Sequence, residues 1–216
     1  MLDAQELIDL FGPYALAGVC LILFLETSTV ILSFLPGDSL LFVFGLSLSA
    51  SSNVWLNILS IPLLVIAAIA GSQVGFVLGR RIGPSLLKRG KRNWLVNENS
   101  IAKSQEILDR YGPRAIVLAR FIPVLRALVP MLVGIMGMDG KKYLRYNFLG
   151  AILWAGGLTL LGWGLGNVPV VQKHLELWII GFVILSSLPL PFEIARESLR
   201  KRKSRKATAT QVQSES

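Results

Sequence analysis

Apolar residues in this chain fall in long runs, and what interrupts each run decides what it predicts. Val54 to Gly79 carries no charged residue over 26 positions and Tyr146 to Gln172 none over 27. Each predicts a helix able to cross about 30 Å of hydrocarbon at ~1.5 Å per residue. Leu177 to Ala195 predicts a third crossing, with Glu193 near its end. Two other apolar stretches are broken midway. Ala15 to Leu25 and Ser39 to Ala50 are runs of eleven and twelve residues, each too short to cross. Between them Pro36 lacks an N–H and disfavours helical geometry at Leu35, and Gly37 permits a sharp reversal. The two runs are therefore predicted as arms of a hairpin. Pro123 and Pro130 break Ala115 to Met138 in the same way. An amphipathic stretch precedes each broken segment: Leu7, Leu10 and Phe11 share one helical face, and Ile101, Leu108 and Tyr111 another. Gly-Pro is predicted to stop both helices.

The order amphipathic, broken, clean thus occurs twice, and a short echo marks the period. Phe11-Gly12-Pro13-Tyr14-Ala15-Leu16 returns as Tyr111-Gly112-Pro113-Arg114-Ala115-Ile116, an offset of one hundred that sets Glu26 opposite Arg126 and Gly37 opposite Gly137. Charge then orients the two units. The first 79 residues hold no Lys or Arg, and all 22 lie from Arg80 onward. They cluster at 80–92, at Lys141, Lys142 and Arg145, and at 196–206, and the positive-inside rule places these clusters in the cytoplasm. The N-terminus is then outside or at the outer interface, the 166–176 loop is external, and the C-terminus is cytoplasmic. One hairpin enters from outside and the other from inside, the inverted-repeat plan of many transporters. The expected fold is all-α and polytopic. It has two opposed re-entrant hairpins, each followed by a transmembrane helix, and a C-terminal transmembrane helix. One membrane domain covers 1–199, with repeats at about 1–83 and 100–168 and a last helix at about 175–199. A basic, then polar and disordered, tail follows at 200–216.

Composition agrees with a membrane location. Of 216 residues 53% are hydrophobic, and the mean hydropathy is +0.59. A net charge of +9 and a pI near 10.1 would suit nucleic acid, but the basic residues flank membrane segments and the aromatics lie inside them, so anionic lipid headgroups explain the balance better. Asp3, Glu6 and Asp9 stand where a signal peptide has its basic region, which predicts a surface-lying helix instead. Cys20 and His174 are each alone, so neither an intrachain disulfide nor a cysteine metal cluster is expected. His174, beside Lys173 and Glu176, reads as a solvated loop residue. No phosphate-binding loop, zinc motif or hydrolase elbow is visible, and neither an enzyme nor a cofactor is expected.

Four charges remain inside the broken segments: Glu26, Asp38, Arg120 and Arg126. A charge at bilayer depth costs about 2.5–3.5 kcal/mol on insertion scales, so such residues face a protein interior or a wet cavity. Asp38 follows Pro36-Gly37 and suits the N-cap of the second arm, a role compatible with exchanging protons. Glu26 has no capping position and requires protonation or an arginine partner. Arg120-Phe-Ile-Pro-x-x-Arg126-x-x-x-Pro130 is the most specific local pattern; two guanidiniums beside a broken helix suit a phosphate headgroup. The alternative is a clamp, Glu26 to Arg126 and Asp38 to Arg120, that only locks two hairpins together. Gly71-x3-Gly75-x3-Gly79 is a small-residue stripe for close helix packing, and Asn147, Gly150, Ala151 and Trp154 are assigned the same role in the other clean span.

These blocks resemble the DedA family, also called the SNARE-associated or VTT-domain superfamily. The resemblance covers roughly Gly12 to Arg196. It runs through Phe24-Leu-Glu26, Phe34-Leu-Pro-Gly-Asp38-Ser-Leu-Leu-Phe42, the glycine stripe with Arg80, Ala119-Arg120-Phe-Ile-Pro-x-x-Arg126 and Asn147-x-x-Gly150-Ala-x-x-Trp154. It implies a bacterial inner-membrane protein that moves lipids, undecaprenyl phosphate or phospholipids among them, with coupling to the proton gradient. By motif position Glu26 and Asp38 match the family's essential acids, and Arg120 and Arg126 its essential arginines. Ser72 stands where the family often has Asp, which removes one proton carrier. The expected partners are therefore an anionic lipid phosphate bound by Arg120 and Arg126, and protons exchanged by Glu26 and Asp38. Two rival readings are a proton-coupled exporter of small cations or drugs, and a non-transporting envelope scaffold.

Overall fold

The computed structural model describes residues 4–29, 32, 35–88, 112–168 and 171. The amphipathic stretch 101–111, the C-terminal crossing at 177–195 and the tail at 200–216 lie outside the described residues. Those described form helices and no strand. In chain order they are α1 (Ala4–Ser28), α2 (Gly37–Ala50), α3 (Val54–Lys88), α4 (Arg114–Ala119), α5 (Pro123–Ile135), α6 (Gly140–Ala151) and α7 (Gly157–Gly166). A five-residue π segment, Ile152–Gly156, joins α6 to α7.

Two spans are long and apolar enough to cross a membrane, Val54–Ile82 in α3 and Gly140–Gly166 through α6, the π segment and α7. Each overlaps one of the charge-free runs, the first extending past Gly79 to Ile82 and the second starting six residues earlier than Tyr146, at Gly140. Each turns large apolar side chains outward, Trp55, Ile58, Ile66 and Val77 on α3 and Phe148, Leu153, Leu161 and Trp163 on the other, a surface suited to lipid. Lys141, Lys142 and Arg145 are exposed at the start of α6, where Asp139 accepts a hydrogen bond from the Lys142 N–H at 2.8 Å and caps the helix.

The short helices pack on these spans in matching pairs. α1 lies on α3 as α4 lies on α6; α2 lies on α7 as α5 lies on α3. Glycines set each close approach. A Cβ on Gly71 would strike the Phe24 carbonyl and Thr27 Oγ1, and one on Gly79 the Met131 backbone. Gly75 stands between, near Ser28 and Pro130. The glycine stripe of α3 thus seats the end of α1 and then α5. On the other span Gly150 abuts Val117 and the Arg120 side chain, while Gly162 and Gly45 interlock α7 with α2.

Two proline expectations are overturned. Gly12-Pro13 does not stop a helix: α1 runs through Pro13, so the amphipathic stretch and the first arm are one element. Pro130 lies inside α5, which starts at Pro123 and continues to Ile135. A membrane helix keeps its remaining backbone hydrogen bonds because hydrocarbon offers no water in exchange, and neighbouring helices support the defect. At Gly112-Pro113 the expected interruption is present: Gly112 has φ +59° and Pro113 precedes α4. Pro36, with non-helical φ −80° and ψ 54°, directly precedes α2.

Candidate functional site

Each of the four charges sits at or near a helix end. Glu26 is in the last turn of α1, Asp38 in the first turn of α2, Arg120 just after α4 and Arg126 in the first turn of α5. Because these helices end inside the fold, their ends meet there. Arg126 is 2% exposed and bridges both acids: Nη2 donates to Glu26 Oε1, and Nη1 donates to Asp38 Oδ1 at 2.7 Å. Glu26 is fully buried, whereas the Asp38 side chain is 25% exposed and forms the reachable edge of the cluster. The backbone of Gly37 lies against the Glu26 carboxylate, with no space for a Cβ.

The anticipated clamp is therefore corrected in one half. Glu26 pairs with Arg126, but Asp38 also goes to Arg126 and not to Arg120. Nor does Asp38 cap α2; its oxygen is taken by Arg126 and by Trp154, whose Nε1 donates to the same Oδ1 at 2.7 Å. The physical reason is position. With Pro36 at the N-cap, Asp38 lies one residue inside the helix, where its side chain can turn toward the interior.

Arg120 pairs with no acid among the described residues. Its Nη2 donates to Ser72 Oγ at 2.8 Å, to the Ala68 carbonyl at 3.3 Å and to Asn147 Oδ1. These acceptors are themselves fixed: Ser72 Oγ donates to the Ala68 carbonyl at 3.0 Å, Tyr143 OH to the Ser72 carbonyl at 3.2 Å, and Asn147 Nδ2 to the Ile69 carbonyl at 3.2 Å. The buried Arg120 Nη1 and Arg126 Nε have no hydrogen-bond partner. Trp154 joins the two halves, its ring 4.3 Å from the Arg126 guanidinium carbon and 5.9 Å from that of Arg120.

Depth follows from the spans. Ala68 is the central residue of Val54–Ile82, and Trp154 is one residue past the centre of Gly140–Gly166. Both anchors place the cluster at mid-span. The four charges are visible in the sequence, but Asn147 and Trp154 read there as packing alone, and Ser72 as a partner of Arg120 and Tyr143 as a support of Ser72 do not show. The available signal was Asn147, a strong hydrogen-bonding group within a charge-free run, one turn from Tyr143.

An all-helical membrane protein with an ion cluster closed inside it is the class these features define. The chain belongs to the DedA family: a VTT domain matches residues 35–164. It is 37% identical over 192 residues to Protein DedA of Escherichia coli K12, covering 88% of this chain and 87% of that protein. It is 37% identical over 179 residues to an uncharacterized membrane protein of Mycobacterium leprae, covering 83% and 79%. It is 31% identical over 176 residues to inner membrane protein YqjA of Escherichia coli K12, covering 81% and 78%. No solved structure matches the chain.

Proposed function

We propose that this protein is a carrier, not an enzyme, that moves an anionic lipid phosphate, such as undecaprenyl phosphate or a phospholipid, across the bacterial inner membrane in exchange with protons. The observation that supports it best is the sharing of Arg126 by two carboxylates beside an acid-free Arg120, at mid-span and with a guanidinium N–H open on each arginine. Protonation of Asp38 or Glu26 loosens the hold on Arg126, and a phosphate then takes both guanidiniums through bidentate hydrogen bonds. Deprotonation restores the acid pairs and expels the headgroup. A cationic cargo fits less well, because Arg126 already holds one oxygen of each carboxylate.

In this reading α1–α2 and α4–α5 are the two opposed re-entrant units, with the C-terminus cytoplasmic. α2 and α5 span only about 21 and 20 Å at 1.5 Å per residue, short of the bilayer. The paired contacts of α1 with α3 and α4 with α6, and of α2 with α7 and α5 with α3, support a duplicated plan.

Reconstitution in liposomes carrying a fluorescent polyprenyl phosphate tests the reading. Flux is expected to rise with an imposed pH gradient and to fall at least tenfold in Arg126→Lys, which keeps the charge but cannot serve two acids with separate nitrogens. No lipid movement under any gradient, or unchanged flux in Arg126→Lys and Arg120→Lys together, rejects it.

A further inference from the structure

Trp154 is the one side chain among those described that contacts Arg126, Arg120 and Asp38 together, and it is carried by the only π segment described. In that segment the Gly157 N–H reaches back five residues to the Ile152 carbonyl, so the turn holds one residue more than an α-turn. The consequence is visible in the buried positions. Tyr143, Asn147, Gly150 and Trp154 form one buried stripe at α spacing; Trp154, Ala155 and Gly156 are all buried within the π segment, and beyond it come Thr159, Gly162 and Gly166. In an unbroken helix the last three would point about 100° away from the first four. The extra residue brings both sets to one side, so that α6 faces Arg120 while α7 grips α2 through Gly162 and Gly45.

A π turn is rarer and less favourable than an α-turn and persists where tertiary contacts hold it. Here one contact is the indole N–H on Asp38. We propose that Trp154 is a positioning residue that reads the charge on Asp38 and passes it to α7. Ionised Asp38 holds the indole and the π turn; a neutral Asp38 releases both and loosens the grip of α7 on α2, the helix that carries Asp38. The inference rests on the proposed function only in needing Asp38 to change charge. The titratable or charged groups around Trp154 are Cys20 and Glu26 on α1, Asp38 on α2, Arg120 just after α4, Arg126 on α5 and Tyr143 on α6. The α3 segment packed against it, Val54 to Gly79, contributes no charge.

The test uses the full chain with Trp55, Trp94, Trp163 and Trp178 changed to Phe, leaving Trp154 to report by its emission. If that protein does not fold, the difference spectrum of the parent minus Trp154→Phe gives the same signal. Emission is expected to change between about pH 4 and about pH 9, to stop titrating in Asp38→Asn, and to keep titrating in Glu26→Gln. Trp154→Phe, which keeps the ring but loses the N–H, moves the pH profile of lipid flux and lowers its maximum roughly tenfold. Emission that ignores pH, or that titrates equally in Asp38→Asn, overturns the proposal. Emission that titrates as expected in a protein that moves no lipid supports the Trp154 link and removes the transport reading alone.

Discussion

Arg126 decides the energetics of the site because two acids depend on one guanidinium. Removing one partner of a buried pair leaves a charge short of its hydrogen bonds, a loss of about 3–5 kcal/mol where burial is complete and less where water reaches the group. Glu26 is wholly buried and Asp38 is not. Glu26→Gln is therefore expected to lower the stability in detergent, read by thermal unfolding, more than Asp38→Asn does, by about 3 kcal/mol against about 1. A larger loss in Asp38→Asn would contradict the burial argument. Gly37→Ala belongs with these variants: its methyl group falls on the Glu26 carboxylate, so it should lower stability although it removes no charge. The four charges were legible in the sequence because an ionised residue in an apolar run is visible wherever it points. The choice of partners was not, since it depends on where α2 starts within one residue.

Helix ends and helix seams carry the next level. Gly162 has the Phe42 carbonyl where its Cβ would stand, whereas Gly164, two residues on, has open space. Gly162→Ala is expected to push α7 from α2 and lower thermal stability by about 1–3 kcal/mol. Gly164→Ala should be neutral or stabilising by a few tenths of a kcal/mol up to about 1, through helix propensity. Equal effects at both sites would show that the seam is not as tight as its geometry. Val54 to Gly79 and Tyr146 to Gln172 were legible as helices because absence of charge over that length has one common meaning in a chain this apolar. Pro13 and Pro130 misled because proline's cost in water differs from its cost among packed membrane helices. The π segment escaped notice because residues 148–165 on either side of it are apolar on both the protein side and the lipid side, which hides a one-residue slip of phase.

Across the described residues the outward faces at mid-span are apolar, the interlocked faces are small residues and carbonyls, and the ionised groups at mid-span are gathered at one level. Glu26 and Asp38 against Arg120 and Arg126 sum to no net charge when all four are ionised, two negative and two positive. That balance has an electrical consequence. A site that carries zero charge feels no force from the membrane voltage, so in the proposed transport cycle the empty protein should alternate between its two faces at the same rate at any potential. Glu26→Gln leaves one unit of positive charge on the moving site, worth up to about 2.3 kcal/mol per 100 mV if it crosses the whole field. Voltage steps applied to the reconstituted protein should therefore evoke no transient charge movement in the parent and a measurable one in Glu26→Gln. A displacement current in the empty parent would mean that the four residues do not travel as one balanced group.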